Sequence, residues 1–205
     1  MPDIRLSIVM PSLASRLENP TMTRRMVKEI ERQIGDNPHV EFIALVDNGR
    51  MSIGKKMDAL NGLARGKFIC GVGDDDMVVP DYLETLLVAI HEHPDVDVIS
   101  FDLDYFVDGH FVSTIKESIQ FRRDQPPMSQ IWTGPPSPKC AIKAEHCKAY
   151  KHPDSWHGED QAFMAWVLPR LETEYYTERT LYKYFYRQGN NSKRKHLAEV
   201  ASAAG

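Results

Sequence analysis

Three consecutive aspartates, Asp74, Asp75 and Asp76, follow the apolar run KFICGV and precede a second apolar pair that ends at Pro80. Adjacent carboxylates repel one another and aspartate is a poor strand former, so this cluster needs a physical reason. Mg²⁺ and Mn²⁺ prefer oxygen ligands, and substrate phosphates often complete a site that one or two carboxylates begin. An aspartate at the start of the following helix would instead cap that helix. The three acids alone leave an ion site and a capped loop open.

A second acidic pair, Glu159-Asp160, stands before another apolar segment in the stretch WHGEDQAFMAWVL. A carboxylate in a cleft can act as a general base that takes the proton of an attacking hydroxyl group. Acids are also common at helix N-termini, where they meet the positive end of the helix dipole. The residues by themselves leave a general base and a plain helix start open.

The elements that must position these acids are predicted from the hydrophobic pattern. The predicted strands cover residues 5–10, 40–46, 68–72 and 96–101, and the predicted helices cover 21–34, 52–64 and 80–93. Strands that alternate with helices predict a parallel sheet with helices on its faces, and such sheets bind ligands outside the carboxyl ends of their strands. Pro11-Ser12, Asp47-Asn48 and the three aspartates all fall at those ends, so the predicted fold gathers them at one edge.

The second half of the chain has a less regular pattern. Residues 103–107 and 110–121 predict antiparallel strands joined by Asp108-Gly109, a pair that favours a tight hairpin turn. Five prolines within residues 124–139 predict an irregular loop beside the cleft. The remaining predicted elements are a helix that ends at Pro169, a late strand in TLYKYFYRQ and a flexible tail over residues 193–205.

The composition is ordinary for a soluble globular protein, with 42% hydrophobic and 26% charged residues among 205. This length suits one domain over residues 1–205. The net charge of −4 gives no overall attraction to nucleic acid or to an anionic membrane. Three cysteines without a C-x-x-C pair argue against a disulfide scaffold. No apolar run approaches the roughly 20 residues that span a bilayer, and the N-terminus lacks a signal-peptide pattern, so a cytoplasmic location is expected.

Taken in order, these segments resemble the family 2 glycosyltransferases of the GT-A fold, which use nucleotide sugars. The resemblance covers most of the chain and is carried by LSIVMPS, VEFIALVDNG, SIGKKMDALNGLARGKFICGVGDDDMVVPDYLETL and the later GED. It implies an α/β fold of GT-A, Rossmann-like type, with a mostly parallel central sheet flanked by helices and a smaller antiparallel acceptor-side part. Residues 1–101 would form the nucleotide-sugar-binding half, and residues 102–192 the acceptor-side half.

The resemblance also implies roles for single residues. The nucleotide-sugar-binding residues would be Pro11, Ser12, Asp47, Asn48, Lys56 and Asp74. The metal ligands would be Asp75, with Asp76 as a second ligand or a helix cap, and His196 from the C-terminal region. The general base would be Asp160, with Glu159 as the second choice.

The chain departs from the family pattern at three places. The first family acid falls at Gly73, so the acidic cluster is shifted by one residue, and Asn48 replaces an acid that often reads uracil. Met57-Asp58 replaces an Arg-Asn pair of the family, which weakens anion binding by the predicted helix over residues 52–64.

The resemblance therefore implies a metal-dependent, inverting glycosyltransferase that uses Mn²⁺ or Mg²⁺ and a nucleotide-diphosphate sugar, with UDP favoured. Small members of viral and bacterial origin are similar to this chain, which would make a hydroxymethylated DNA base a possible acceptor and the host cytoplasm the location. Two other classes stay open. A nucleotidyltransferase would also use acids and a metal, although the loop PSLASRLENP lacks the glycines of a phosphate-binding loop. A non-catalytic module that binds sugar nucleotides would explain the changes at Gly73 and Asn48.

Overall fold

The computed structural model describes residues 3–18, 22–121 and 131–187. Its first half contains β1 (Leu6–Leu13), α1 (Ala14–Glu18), α2 (Thr23–Ile34), β2 (Val40–Asp47), α3 (Ile53–Leu63), β3 (Phe68–Gly71), β4 (Met77–Val78) and α4 (Tyr82–Glu92). Its second half contains β5 (Val98–Val107), β6 (His110–Glu117), β7 (Ile131–Gly134), β8 (Ala141–Lys143), α5 (Ala144–Ala149), α6 (Glu159–Val167), a 3-10 turn (Leu168–Arg170) and β9 (Glu174–Tyr186).

The strands form one sheet in the order β2-β1-β3-β8-β5-β6-β7, and β9 pairs with β5 and with the short β4. Strand β1 runs parallel to both β2 and β3, and β9 runs parallel to β5. The antiparallel pairs involve the later strands, since β8 lies between β3 and β5 and β6 forms a hairpin with β5. This arrangement confirms the α/β class, with a helix-flanked central sheet and an antiparallel part contributed by the second half.

The core lies on both faces of the sheet, and the side chains of β1 alternate between the two faces. Ile8 and Met10 pack into a cluster with α2 and α4, whereas Val9, between them, packs into a second cluster with α3 and α6. All three side chains are completely buried. A strand covered on both faces has a nearly continuous apolar sequence, which is what LSIVM shows.

Several predicted boundaries differ from the structure. Residues 96–101 and 103–107 belong to one strand, β5, because the pairing with β9 continues along its whole length. The segment predicted as an irregular loop contains β7, which pairs with the end of β6. Asp108 and Gly109 form the predicted tight turn, with φ angles of 49° and 85°. The predicted flexible tail lies outside the described residues.

Helix α3 begins at the end of a loop that follows β2 and carries Lys56 in its first turns. Ser52 precedes the helix, and its hydroxyl oxygen accepts a 3.3 Å hydrogen bond from the backbone N–H of Lys55. The same hydroxyl donates to Asp154 at 2.7 Å, which ties the helix start to the segment before α6. The N-terminus of α3 is thereby fixed to the segment that leads into α6.

Within the described residues, no helix is both long enough and apolar enough to cross a membrane.

Candidate functional site

Asp47 ends β2 and is held by three contacts at the carboxyl edge of the sheet. One carboxylate oxygen accepts hydrogen bonds from the backbone N–H groups of Arg50 at 2.6 Å and Met51 at 2.7 Å. The other oxygen pairs with the Lys56 ammonium. Partial burial raises the pKa of Asp47, but Lys56 and the two N–H groups outweigh burial and lower the pKa to about 2. Asp47 is therefore an ionised, fixed hydrogen-bond acceptor near neutral pH.

Lys56 joins the ends of β1 and β2. Its side chain is only 5% exposed, and its ammonium donates to the backbone carbonyl of Ser12 at 2.6 Å as well as pairing with Asp47. An ammonium group has three N–H donors, so two contacts leave one donor for a ligand. The predicted contact between Lys56 and a diphosphate or base is compatible with this arrangement, and positioning Asp47 is a second role.

The acidic cluster lies beside Ser12, at the end of the neighbouring strand. The Ser12 hydroxyl donates to Asp74 at 2.6 Å, and the other oxygen of Asp74 pairs with the Arg16 guanidinium. Arg16 also lies 3.5 Å from Asp75. Arg16 was not predicted as a site residue. It follows β1 closely in the sequence, at the edge of the sheet where the acids were expected.

Asp75 is the accessible member of the cluster. Its side chain is 39% exposed, whereas that of Asp74 is 5% exposed. Burial raises the pKa of Asp75, Arg16 lowers it, and Asp74 raises it again, with a net increase. A partly open carboxylate whose charge is incompletely compensated offers the oxygen ligand that a hard divalent ion prefers. The residues present therefore fit a metal site at Asp75, with Asp74 as its neighbour.

Asp76 has a different environment from its two neighbours. The Tyr182 hydroxyl donates to one carboxylate oxygen at 2.8 Å, and the backbone N–H of Phe185 donates to the other at 2.9 Å. The Tyr182 hydroxyl itself accepts from the N–H of Gly73 at 2.8 Å. Burial raises the pKa of Asp76 to about 6. These bonds support a role for Asp76 in tying the acidic loop to β9 rather than in ligating a metal.

The structure does not support the alternative that the acidic cluster caps α4. Helix α4 begins at Tyr82, and the residue before it, Asp81, makes no side-chain capping hydrogen bond. Asp81 pairs with Arg179 instead. The alternative that Asp76 caps this helix is therefore wrong, because β4 lies between Asp76 and α4.

Glu159 and Asp160 begin α6. Asp160 is exposed, and one oxygen accepts a 2.8 Å hydrogen bond from the backbone N–H of Gln161. Glu159 is partly buried, which raises its pKa; Asp160 raises that pKa further and Lys139 lowers it. Asp160 is therefore the more accessible of the two candidate bases.

Tyr184 connects the two acidic groups electrostatically. Burial raises the pKa of Tyr184 to about 12, and the carboxylates of Asp76, Asp75 and Asp160 all contribute to the increase. Lys139 lies 4.6 Å from the centre of the Tyr184 ring. Tyr184 is therefore a partly buried phenol beside Lys139, on the strand whose Phe185 N–H bonds to Asp76.

The other predicted residues have simpler outcomes. Pro11 lies in β1 opposite Leu45 of β2, and Asn48 is exposed just beyond β2, so both lie toward the carboxyl edge of the sheet. His196, predicted as a metal ligand, lies outside the described residues.

A separate group, Asp97, Glu145 and His146, brings ligand atoms close enough together to hold a metal ion. It lies at the start of β5, and the structure supplies a different explanation for its acid. Asp97 accepts from the His146 ring at 3.1 Å and from the backbone N–H groups of Glu172 and Thr173, each at 2.9 Å. Partial burial raises the pKa of Asp97, but these hydrogen bonds outweigh it and lower the pKa to about 2. Asp97 therefore acts as a structural acceptor that joins β5 to the turn before β9.

Comparison with solved structures finds crystal structures of S. aureus TarS residues 1-349. The structure without a stated ligand has a TM-score of 0.61 at 14% sequence identity and covers 89% of this chain and 60% of that one. The complex with UDP-GlcNAc has a TM-score of 0.58 at 16% identity, covering 93% and 61%. The complex with UDP has a TM-score of 0.61 at 15% identity, covering 89% and 61%.

These comparisons show the fold. The chain has the GT-A-type architecture that the sequence resemblance implied, and it spans about three fifths of the length of the TarS structures it matches. Sequence identities this low carry no residue role from one protein to the other. No family model matches the sequence, and no curated protein sequence matches it.

Proposed function

We propose that this chain is a glycosyltransferase that moves a sugar from a nucleotide-diphosphate sugar, with UDP favoured, to an acceptor hydroxyl group with inversion at the anomeric carbon. The observation that carries the proposal is the cluster of charges at the carboxyl edge of the sheet, where Asp47 pairs with Lys56 and Arg16 pairs with Asp74 beside Asp75. The complexes of TarS with UDP and UDP-GlcNAc support a nucleotide-sugar donor for this fold.

The nucleotide corner supplies fixed partners for the donor. Asp47 is held ionised and immobile, so it can accept a hydrogen bond from the N–H edge of a base without reorganising. Asn48, exposed beside it, offers both a donor and an acceptor. Arg16 and the remaining N–H of Lys56 provide positive charge for the diphosphate.

Asp75 would hold a divalent ion, and Mn²⁺ or Mg²⁺ bound there would stabilise the charge that develops on the leaving group. Asp74 lies beside this position with both oxygens already bonded, one to Ser12 and one to Arg16. Asp74 therefore keeps Arg16 at the site, beside the accessible carboxylate of Asp75.

Asp160 completes the chemistry on the acceptor side. Its carboxylate takes the proton of the acceptor hydroxyl as that oxygen bonds to the anomeric carbon and the bond to the diphosphate oxygen breaks. One oxygen of Asp160 is held by the N–H of Gln161, and among the described residues the other has no hydrogen-bond donor. The second oxygen is therefore available to the acceptor.

The two other classes fit the structure less well. A nucleotidyltransferase would need backbone N–H groups that cradle a triphosphate after β1, but the chain continues from β1 directly into α1 without a glycine-rich turn. A non-catalytic module has no need for Asp160 opposite the donor corner.

For the acceptor we propose a hydroxyl group that reaches the open side of α6, with a hydroxymethylated DNA base as one candidate. Binding to duplex DNA should then weaken steeply as salt is raised. An acceptor affinity independent of salt would speak against DNA.

The test is isothermal titration calorimetry of UDP and GDP with and without Mn²⁺, followed by turnover of a panel of UDP- and GDP-sugars. We expect Mn²⁺-dependent UDP binding in the parent protein. Asp75→Asn removes the anionic ligand and should weaken UDP binding in Mn²⁺ by at least about tenfold, because a charge-assisted contact contributes roughly 1.5–3 kcal/mol.

The control is Asp95→Asn, which makes the same change at a side chain that is 91% exposed and paired only with Lys67. It should leave UDP binding unchanged. Failure of every nucleotide and nucleotide sugar to bind the parent protein would overturn the proposed function, and UDP binding that ignores Mn²⁺ would overturn the metal assignment.

A further inference from the structure

Arg16, in α1, contacts two of the three acids of the cluster. Its Nη1 atom pairs with the buried carboxylate of Asp74, and the same nitrogen lies 3.5 Å from Oδ2 of Asp75. The side chains of Arg16 and Asp75 are each 39% exposed, so a ligand in solution can reach both of them. The carboxylate that fits a divalent ion therefore already has a positive charge of the protein beside it.

The two contacts of Arg16 differ in strength. The contact with Asp74 is a hydrogen bond, and the opposite oxygen of Asp74 accepts from the Ser12 hydroxyl at 2.6 Å. The separation of 3.5 Å from Asp75 is longer than the N–H···O hydrogen bonds of about 2.7–3.2 Å that proteins usually form. Arg16 can therefore leave Asp75 while its bond to Asp74 persists.

The guanidinium group of Arg16 has donors that the protein does not use. Within the described residues, its hydrogen bond and its ion pairs all involve Nη1, which leaves Nε and Nη2 for a ligand. The planar fork of an arginine matches the spacing of two phosphate oxygens. A diphosphate at this edge of the sheet could thus bind Arg16 without breaking its bond to Asp74.

Lys56, the other cation at this corner, is not able to move in the same way. Its side chain is 5% exposed, and its ammonium is held by Asp47 and by the backbone carbonyl of Ser12 at 2.6 Å. Leaving either partner would strand a buried charge, which is costly. Arg16 is therefore the cation of this corner that can change partners.

The charges at the cluster favour such a change. A divalent ion on Asp75 and the Arg16 guanidinium would repel each other, because both are positive and both lie at one carboxylate. A diphosphate carries enough negative charge to contact the two cations together. Repulsion that opposes binding of the ion alone is relieved once the diphosphate is present.

We propose that Arg16 couples the binding of the divalent ion to the binding of the donor. Arg16 competes with the ion for Asp75 until a diphosphate draws the guanidinium away, so each ligand strengthens the binding of the other. This inference rests on the proposed function and adds a regulatory role to the same site. Linkage requires that the ion and the nucleotide raise each other's affinity by the same factor.

The experiment measures the affinity for Mn²⁺ from the electron paramagnetic resonance signal of the free ion, with and without UDP. Arg16→Gln removes the competing charge and keeps a flexible polar side chain. We expect Mn²⁺ alone to bind about three- to tenfold more tightly in this variant than in the parent protein. The factor by which UDP strengthens Mn²⁺ binding should fall by about three- to tenfold. Damage to α1 would weaken Mn²⁺ binding and could not strengthen it.

Two further variants separate the local charge from other effects. Arg25→Gln removes the same charge from an exposed position in α2 and should keep the parent affinity for Mn²⁺. Arg16→Lys keeps the charge, so its affinity for Mn²⁺ alone should lie closer to that of the parent protein than to that of Arg16→Gln.

An Mn²⁺ affinity that is unchanged or lower in Arg16→Gln would overturn the inference. An equal increase in Arg25→Gln would overturn it as well, because net charge alone would then explain the result. Failure of both the parent protein and Arg16→Gln to bind Mn²⁺ would have the same consequence. A parent protein that binds Mn²⁺ but no nucleotide would instead remove the proposed function, and the comparison of Mn²⁺ affinities would still test the competition at Asp75.

Discussion

Asp74, Asp75 and Asp76 are consecutive in sequence and differ in what surrounds them. Asp74 is buried between Ser12 and Arg16, Asp75 is partly open, and Asp76 is bonded to β9. Identical side chains therefore acquire three roles through neighbours that are distant in sequence. The position of the acids was predictable from the apolar run before them, whereas the division of roles depends on residues 58 to 109 positions away.

At the residue scale, Asp160→Asn tests the assignment of the general base. The substitution keeps the size of the side chain and removes its ability to accept a proton at neutral pH. We expect turnover of the nucleotide sugar to fall about 10²- to 10⁴-fold, with donor affinity nearly unchanged, because the substitution removes only the proton acceptor. Steady-state kinetics together with donor titration measures both quantities.

Glu159→Gln is the companion variant for that measurement. Glu159 is less exposed than Asp160, so this change should reduce turnover far less. A fully active Asp160→Asn protein beside an inactive Glu159→Gln protein would reverse the assignment. An equal loss of donor affinity in Asp160→Asn and Asp75→Asn would show that the two sides of the cleft have been assigned wrongly.

At the scale of elements, the start of α3 depends on a glycine. A Cβ atom at Gly54 would overlap the backbone carbonyl oxygen of Pro153, and the N–H of Gly54 donates to the carbonyl of Ser155 at 3.2 Å. Because the clash is with backbone, Gly54→Ala must displace the segment that leads into α6. We expect a loss of about 1–3 kcal/mol in the free energy of unfolding, measured by urea denaturation.

The same helix supplies the control for Gly54→Ala. Gly62 lies near the end of α3, and a Cβ atom there would meet nothing within 4 Å. Gly62→Ala should stabilise the protein by about 0.5–1 kcal/mol, since alanine loses less backbone entropy in a helix. Equal effects of the two substitutions would contradict the proposed contact between α3 and Pro153.

Some structural features of the helices, strands and turns depend only on residues that are close together in the sequence. The Asp108-Gly109 turn and the helix start at Ser52 follow from residues that are adjacent or three apart, and both were predictable. The insertion of β8 between β3 and β5 was not predicted, because three residues carry no periodicity. Strand β9 pairs with β4, roughly one hundred residues earlier, and no local pattern specifies such a partner.

At the scale of the whole molecule, some residues of the candidate site could be predicted from the sequence and others could not. Strand ends gather at one edge in a parallel sheet, so the positions of Ser12, Asp47 and the acids follow from topology. Arg16, Lys139 and Tyr184 had no motif to mark them. Arg16 acts through its ion pairs with Asp74 and Asp75, and Lys139 contacts the Tyr184 ring; these contacts exist only in the folded chain.

The stability of the whole fold should depend on pH through His152. Both ring nitrogens are buried without a hydrogen-bond partner among the described residues, and the ring packs against Tyr150 and Phe163. Burial lowers the pKa of His152, and the charge of Asp58 only partly opposes that shift. The folded protein therefore holds a neutral imidazole at pH values where an unfolded chain would already be protonated.

The sign of the effect follows from proton uptake. As the pH falls through the unfolded-state histidine pKa of about 6.5, the unfolded chain binds a proton that the folded chain does not, so stability is lost on acidification. His152→Phe removes this difference and should flatten the pH dependence of the unfolding free energy between about pH 7 and pH 5, by up to about 1.4 kcal/mol per pH unit. His110→Phe, at an exposed position in the β5–β6 hairpin, should keep the parent dependence. Because Asp76 and the other titrating groups are common to all three proteins, parallel profiles for the parent and His152→Phe would contradict a neutral buried imidazole.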